Sequence, residues 1–255
     1  MEKFTNAHFE NIQSTNWNSL RFKNPPSMDT DIGWRVEFRP MDIQLTDFEN
    51  AALTIMVGMI ANIVNEFDVD FIVPITMVDE NMKRAHARDA LSQVRFWWKV
   101  PAPEYANALP RQNDLASTDF LKSNSTVTGK QENALKQSND TDRYKELYIW
   151  QILEGDAKAG FPVGIITMCE QFMEMNEWSD AKIAETMKYL KFLCMRSRGE
   201  IPTGARFLRD FVMKHADYKK DSVLSQPILY DLMKMLESIN EPGNEAQKLL
   251  LGGFA

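Results

Sequence analysis

The sequence predicts an α+β chain, with paired antiparallel strands near the amino end and helices over most of the remainder. Three observations carry this. Charged and apolar residues alternate through Gly33-Trp34-Arg35-Val36-Glu37-Phe38-Arg39-Pro40, the period-2 pattern of a strand with two unlike faces. Thr46-Asp47-Phe48-Glu49 stands before a long apolar run, the signature of a capping box opening a helix. Beyond residue 143, apolar residues recur at helical spacing, as in Ile183, Met187 and Leu190 or Phe207 and Phe211, which marks core-facing helix stripes.

Taken in order, Phe9 to Phe22 reads as a first extended segment, broken by polar residues. Lys23 to Asp31 contains Pro25 and Pro26 and reads as a turn, and Ile32 to Gln44 reads as the second strand. The apolar side of that second strand, Trp34, Val36 and Phe38, is expected to face a core. A helix then starts at the capping box and runs through Ala51 to Val64. Its apolar stretch is about 14 residues long against the roughly 20 needed to span a bilayer, Asn62 interrupts it, and its flanks are acidic. A buried core helix is therefore expected rather than a membrane span. Phe71 to Ile75 reads as an extended connector, followed by a charged helix from Asp79 to about Trp97. Residues 101–141 are rich in Asn, Ser, Thr, Asp, Gln and Lys, with little apolar surface to offset ordering entropy, so a polar mobile loop or insertion is expected there. Helices are expected again at Arg143 to Leu153, Val163 to Met175, Ser179 to Arg196, Thr203 to His215 and Ser225 to Ile239.

With 255 residues, 44% hydrophobic and 25% charged, the chain can bury a sizeable core. A net charge of −7 and a pI near 5.1 argue against a nucleic-acid partner, which usually demands a basic face. The amino end has no apolar signal core, and the two cysteines, Cys169 and Cys194, have no cysteine or histidine nearby at metal-ligand spacing. Buried free thiols in a reducing, cytoplasmic setting are expected, with no membrane partner. The three histidines, His8, His86 and His215, are scattered and form no nucleophile or metal constellation.

The chemistry-bearing pattern is Arg35-x-Glu37-x-Arg39. These side chains share one face of the strand at roughly 7 Å intervals. A carboxylate is a hard oxygen ligand, and each guanidinium can grip phosphate in a bidentate fork, so this face can hold a metal ion and the phosphates around it. The same alternation also suits a plain cross-strand salt-bridge ladder. Asn16, Asn18 and Arg21 on the first strand either face this platform or form a solvated edge. Lys83, Arg84 and Arg88 lie within adjacent helical turns, on a solvated helix face or against a phosphate or partner.

The strings Phe9-Glu10-Asn11-Ile12-Gln13-Ser14-Thr15-Asn16-Trp17, Arg21-Phe22-Lys23, Asp31 to Met41 and Gln44 to Asn50 closely resemble the catalytic subunit of the eukaryotic glutamate-cysteine ligases. Val78-Asp79-Glu80-Asn81-Met82-Lys83 continues the match, and Ala205-Arg206-Phe207 and His215 to Lys219 extend it more loosely. The resemblance implies a glutamine-synthetase-like catalytic domain, with Glu37 as a magnesium ligand and Arg35 and Arg39 on nucleotide phosphates or the forming acyl phosphate. Asn16 and Arg21 are implied to lie near the same site. The implied reaction joins L-glutamate to L-cysteine with ATP and Mg2+ through a gamma-glutamyl phosphate, the first step of glutathione biosynthesis, with a modifier subunit as possible partner. Members of that family are much longer, and this chain corresponds to roughly the carboxy-terminal two-fifths. Residues 1–100 would then complete the catalytic domain, 101–141 form the insertion and 142–255 a helical region. Most family magnesium carboxylates lie upstream of the matched stretch, so the chain alone is expected to be inactive or very weak. A non-catalytic interaction module is the alternative.

Overall fold

The computed structural model describes residues 7–17, 19–25, 31–67, 69–100, 143–241 and 243–254. Asn18 and the whole 101–141 segment lie outside them. The fold is mixed α+β, mostly helical, with two small antiparallel two-stranded sheets among the described residues. The chain divides into two compact units, Met1–Gln44 and Leu45–Ala255.

In the first unit, helix α1 (Ala7–Ser14) precedes the hairpin of β1 (Leu20–Lys23) and β2 (Arg35–Phe38). The expected strand from Phe9 is thus corrected to a helix. Ala7 to Ser14 contains no Gly or Pro and only one β-branched residue, Ile12, so nothing opposes the helical state. The helix ends where Thr15 donates its backbone and hydroxyl protons to the Ile12 carbonyl. The hairpin itself is as expected, with register Leu20↔Phe38, Arg21↔Glu37, Phe22↔Val36 and Lys23↔Arg35. Its apolar face is not a core surface. Leu20, Phe22, Trp34, Val36 and Phe38 are all 44–63% exposed, because a two-stranded ribbon has no second layer of its own. Phe22 and Trp34 stack on each other, with centroids 4.8 Å apart.

The second unit opens on the predicted capping box. Thr46 Oγ1 accepts from the Glu49 backbone at 3.2 Å, while Glu49 Oε2 accepts from the Thr46 backbone at 3.0 Å. Helix α2 (Asp47–Phe67) follows. Its buried stripe, Ala52, Met56, Met59 and Ile63, is spaced to face one way and packs on α6 (Ile165–Met175) and α7 (Asp180–Ser197). The opposite side, including Thr54, Gly58 and Ala61, is exposed, so the helix is buried along one side rather than all round. By length and composition alone, α2 is also long and apolar enough to cross a membrane.

The end of one expected helix and the start of another form a sheet instead. Helix α3 (Ile75–Ala85) starts earlier than predicted and stops ahead of Asp89, whose φ of 51° is left-handed. A short helix α4 (Ala90–Gln93) leads into strand β3 (Arg95–Lys99), which pairs antiparallel with β4 (Tyr144–Tyr148), where a helix from Arg143 was expected. The aromatic run Phe96-Trp97-Trp98 favours a strand. Asn81 on α3 fastens it, donating to the Trp97 carbonyl at 2.9 Å and accepting from the Trp97 backbone at 2.7 Å.

The remaining helices are α5 (Ile149–Glu154), α6, α7, α8 (Gly204–Lys214), α9 (Gln226–Glu237) and α10 (Glu245–Leu251). Ser179 and Thr203 cap α7 and α8 by accepting from Lys182 and Arg206. Met187, Leu190 and Phe207 are buried as their spacing predicted, and Ile183 and Phe211 are half-buried. Helix α10, capped by Asn244, was not anticipated. The core joins α2, α6 and α7 with Phe161, Ile201, Leu250 and Leu251.

Candidate functional site

The antiparallel register brings the charged residues of both strands onto one face. Arg21 lies directly across from Glu37, and Lys23 directly across from Arg35. Opposed residues of an antiparallel pair share a face. Glu37 Oε1 accepts from Arg39 Nε at 2.6 Å, and its Oε2 is 3.1 Å from Lys23 Nζ. The Lys23 ammonium first and the Arg39 guanidinium second hold the Glu37 carboxyl below the usual carboxylate range. The group is thus an anion at neutral pH, and it remains 35% exposed.

The cations of this face do different things. Arg39 is the most anchored. Its Nη1 donates to the Ser14 carbonyl at 2.7 Å and the Trp17 carbonyl at 2.9 Å, and its Nη2 donates to Ser14 Oγ at 2.9 Å. One side chain therefore ties the carboxyl end of α1, whose last carbonyls lack helical partners, to the Glu37 carboxylate. Arg35 donates once, to the Asn24 carbonyl at 3.1 Å. The Arg21 side chain makes no hydrogen bond or ion pair with the described residues, although its backbone pairs with Glu37 in the ladder. Asn16 lies in the turn after α1, between the two residues that Arg39 grips, rather than on a strand. Its backbone donates to the Gln13 carbonyl, and its side chain makes no bond to the platform among the described residues.

The salt-bridge ladder is therefore real, but it does not use up the charge. Arg21, Lys23, Arg35 and Arg39 surround a single carboxylate, in a chain whose net charge is −7. Like charges directly opposite each other, as at Lys23 and Arg35, are destabilising in a sheet. Such a face can receive a polyanion, each guanidinium offering paired donors to phosphate or carboxylate oxygens. Lys23, expected at the start of the turn, is instead the last residue of β1, and Arg21-Phe22-Lys23 shows the same alternation as β2.

The Lys83, Arg84 and Arg88 cluster resolves toward structure. Arg84 bonds Glu80, Glu146 at 2.7 Å and the Arg95 carbonyl at 2.8 Å, bracing α3 on the β3–β4 sheet, while Lys83 and Arg88 are exposed. Cys169 and Cys194 are free and buried, and burial pushes both thiols up to about 12. Among the described residues no group of three or more His, Cys, Asp or Glu side chains could hold a metal ion. Magnesium is commonly held by one or two carboxylates plus water and phosphate. The ionised Glu37, beside guanidinium groups whose donors suit phosphate oxygens, is chemically compatible with that mode as a single donor.

The fold defines a mixed α+β protein, and its first hairpin carries a cation-rich strand face around one carboxylate. Residues 1–239 match the family model for glutamate-cysteine ligase. The chain is 38% identical over 237 residues to the glutamate-cysteine ligase of Schizosaccharomyces pombe, covering 92% of this chain and 31% of that protein. It is 37% identical over 247 residues to the rat glutamate-cysteine ligase catalytic subunit, covering 97% and 36%, and 36% identical over 250 residues to the human one, with the same coverage. The chain belongs to the glutamate-cysteine ligase family, whose members are ATP-dependent ligases, and it spans about a third of the length of these relatives.

Proposed function

We propose that this chain supplies one wall of the nucleotide site of a glutamate-cysteine ligase with a glutamine-synthetase-like catalytic domain. The carrying observation is the strand face on which four cations surround one ionised carboxylate, in a chain of this family. In this reading Arg35, Arg21 and Arg39 neutralise the nucleotide phosphates and the transferring group, Asn16 borders the same site, and Glu37 contributes one oxygen donor to Mg2+. The metal, when bound, supplies charge neutralisation on the phosphates. The protein's part in phosphoryl transfer is positioning and electrostatics rather than covalent chemistry.

The reaction proposed for the whole enzyme follows from its substrates. The L-glutamate gamma-carboxylate attacks the terminal phosphate of ATP, ADP departs, the L-cysteine amine attacks the resulting gamma-glutamyl phosphate, and phosphate leaves as the amide forms. A modifier subunit is the proposed protein partner, and the two free thiols suit a cytoplasmic setting. A second reading, a non-catalytic interaction module, is favoured by the exposed apolar face of the hairpin, Leu20, Phe22, Trp34, Val36 and Phe38.

One experiment separates them. Glutamate- and cysteine-dependent ADP release is measured for the 255-residue chain and for a chimera in which this chain replaces the matching third of the S. pombe relative. An active chimera with an inactive lone chain supports the wall. An inactive chimera that folds contradicts it.

A further inference from the structure

We infer that Lys23 is the exchangeable cation of the strand platform. Its ammonium holds the Glu37 oxygen that a divalent cation would take, and it passes to a phosphate oxygen when a metal-polyphosphate complex arrives. The inference rests on the platform being a polyphosphate site, and it assigns a role within that site to a residue outside the Arg-x-Glu-x-Arg pattern.

The two Glu37 oxygens are held unequally. Oε1 is bound by Arg39 at 2.6 Å, and Arg39 is itself fixed by three further bonds to Ser14 and Trp17. Freeing Oε1 would unpair a guanidinium that the Ser14 and Trp17 bonds keep in place beside it. Oε2 is held at 3.1 Å by Lys23, for which Glu37 is the one ion-pair partner among the described residues. Lysine is a compact point charge with three donors on a flexible four-carbon stem, free to swing without losing a planar fork. It is 33% exposed, so the ammonium has room to leave.

The position of Lys23 also argues for a second resting place. It stands directly opposite Arg35, a like-charge pairing that a purely structural hairpin would avoid. An anion seated on this face would turn that repulsion into a shared grip, with Lys23 and Arg35 on the same phosphates. A metal alone must displace an ammonium without giving it a new partner. A metal arriving with phosphate gives the ammonium one, so the two ligands favour each other's binding.

The test titrates the 255-residue chain with Mn2+ alone and, separately, with tripolyphosphate, comparing wild type with Lys23→Met, Lys23→Arg and Arg35→Met. Backbone amide spectra confirm that the hairpin register is kept. Lys23→Met is expected to bind Mn2+ about tenfold more tightly and tripolyphosphate about tenfold more weakly, close to the bulk-water limit for one charge contact at about 4 Å, as suits a solvated face. Lys23→Arg, which keeps the charge but adds a planar fork on Glu37, should keep tripolyphosphate affinity and bind Mn2+ more weakly than wild type. Arg35→Met should weaken tripolyphosphate without strengthening Mn2+, since it does not touch Glu37. A merely structural lysine would move both affinities down together, and that result overturns the inference. If Arg35→Met weakens tripolyphosphate while Lys23→Met changes neither ligand, Lys23 has no such role and the platform reading stands. If the wild-type chain binds no tripolyphosphate, the platform reading falls and this inference falls with it.

Discussion

Replacing Arg196 with methionine should strike the second unit harder than any exposed ion pair would. The Arg196 guanidinium donates to Glu49 Oε1 at 2.7 Å, and the two side chains are 6% and 0% exposed. The contact ties the first turn of α2 to the last turn of α7, with the guanidinium also lying over the Phe192 ring at 4.4 Å. Burial pulls the Arg196 guanidinium down from its ordinary value, against the nearby Glu49 carboxylate. Without Arg196, that carboxylate keeps, among the described residues, its bonds from the Thr46 backbone and hydroxyl and no counter-ion, so a buried charge is left unpaired there. Breaking such a pair from one side costs about 3–5 kcal/mol. In a chain of this size that corresponds to a fall in Tm of roughly 6–20 °C. The assay is thermal unfolding followed by helical circular dichroism for Arg196→Met, Glu49→Gln and the double variant. Because a neutral amide can still accept from Thr46 and leaves no orphan charge, the double variant should recover about 2 kcal/mol relative to the sum of the singles. A single variant within 1 kcal/mol of wild type, or strict additivity, would refute the reasoning.

Two glycines should respond to alanine with opposite signs: Gly58→Ala, on the open side of α2 where an added methyl meets nothing, should stabilise by about 0.5–1 kcal/mol. Gly164→Ala, where a Cβ would run into the Leu153 carbonyl oxygen and the Glu154–Gly155 peptide, should cost about 2 kcal/mol or more. Urea midpoints decide both, and equal signs would be wrong. Cys169 and Cys194, with burial pushing both up to about 12, should label with a thiol reagent only as fast as the core opens; prompt labelling of the native chain at pH 7 would contradict their placement. Arg198 holds the Glu154 carboxyl below its ordinary value. A depressed carboxyl stabilises the fold above its unfolded pKa, and that stability is lost as pH falls through the folded value. Arg198→Gln should therefore lower Tm at pH 7, with the gap to wild type shrinking as pH falls below the usual carboxylate range, and a gap that stays constant down to the acid limit of folding would count against the assignment.

Local patterns were readable where one element carries its own instructions. Thr46 and Glu49 announced α2, and the Met187 and Leu190 stripe faces the core as its period requires. What failed was whatever depends on a distant partner. Arg95 to Trp97 and Tyr144 to Tyr148 each read as part of a helix, and they are strands because they pair across some forty intervening residues. Trp34, Val36 and Phe38 were assigned a core by their alternation, but alternation names a face without naming what covers it. In the site, Arg35, Glu37 and Arg39 were legible as one face of a single strand. Lys23 entered only through the hairpin register, and the tie from Arg39 to Ser14 and Trp17 depends on a helix end that the pattern around Phe9 to Asn16 did not suggest.

The claim that this chain provides a wall of a nucleotide site is tested most directly by Glu37→Ala in the S. pombe chimera, with glutamate- and cysteine-dependent ATP turnover as the readout. A folded variant whose kcat falls by about 10²–10³, the usual loss for one preorganised electrostatic contact in a transition state, is the predicted result. A folded variant that turns over ATP at the rate of the unmutated chimera would contradict the account.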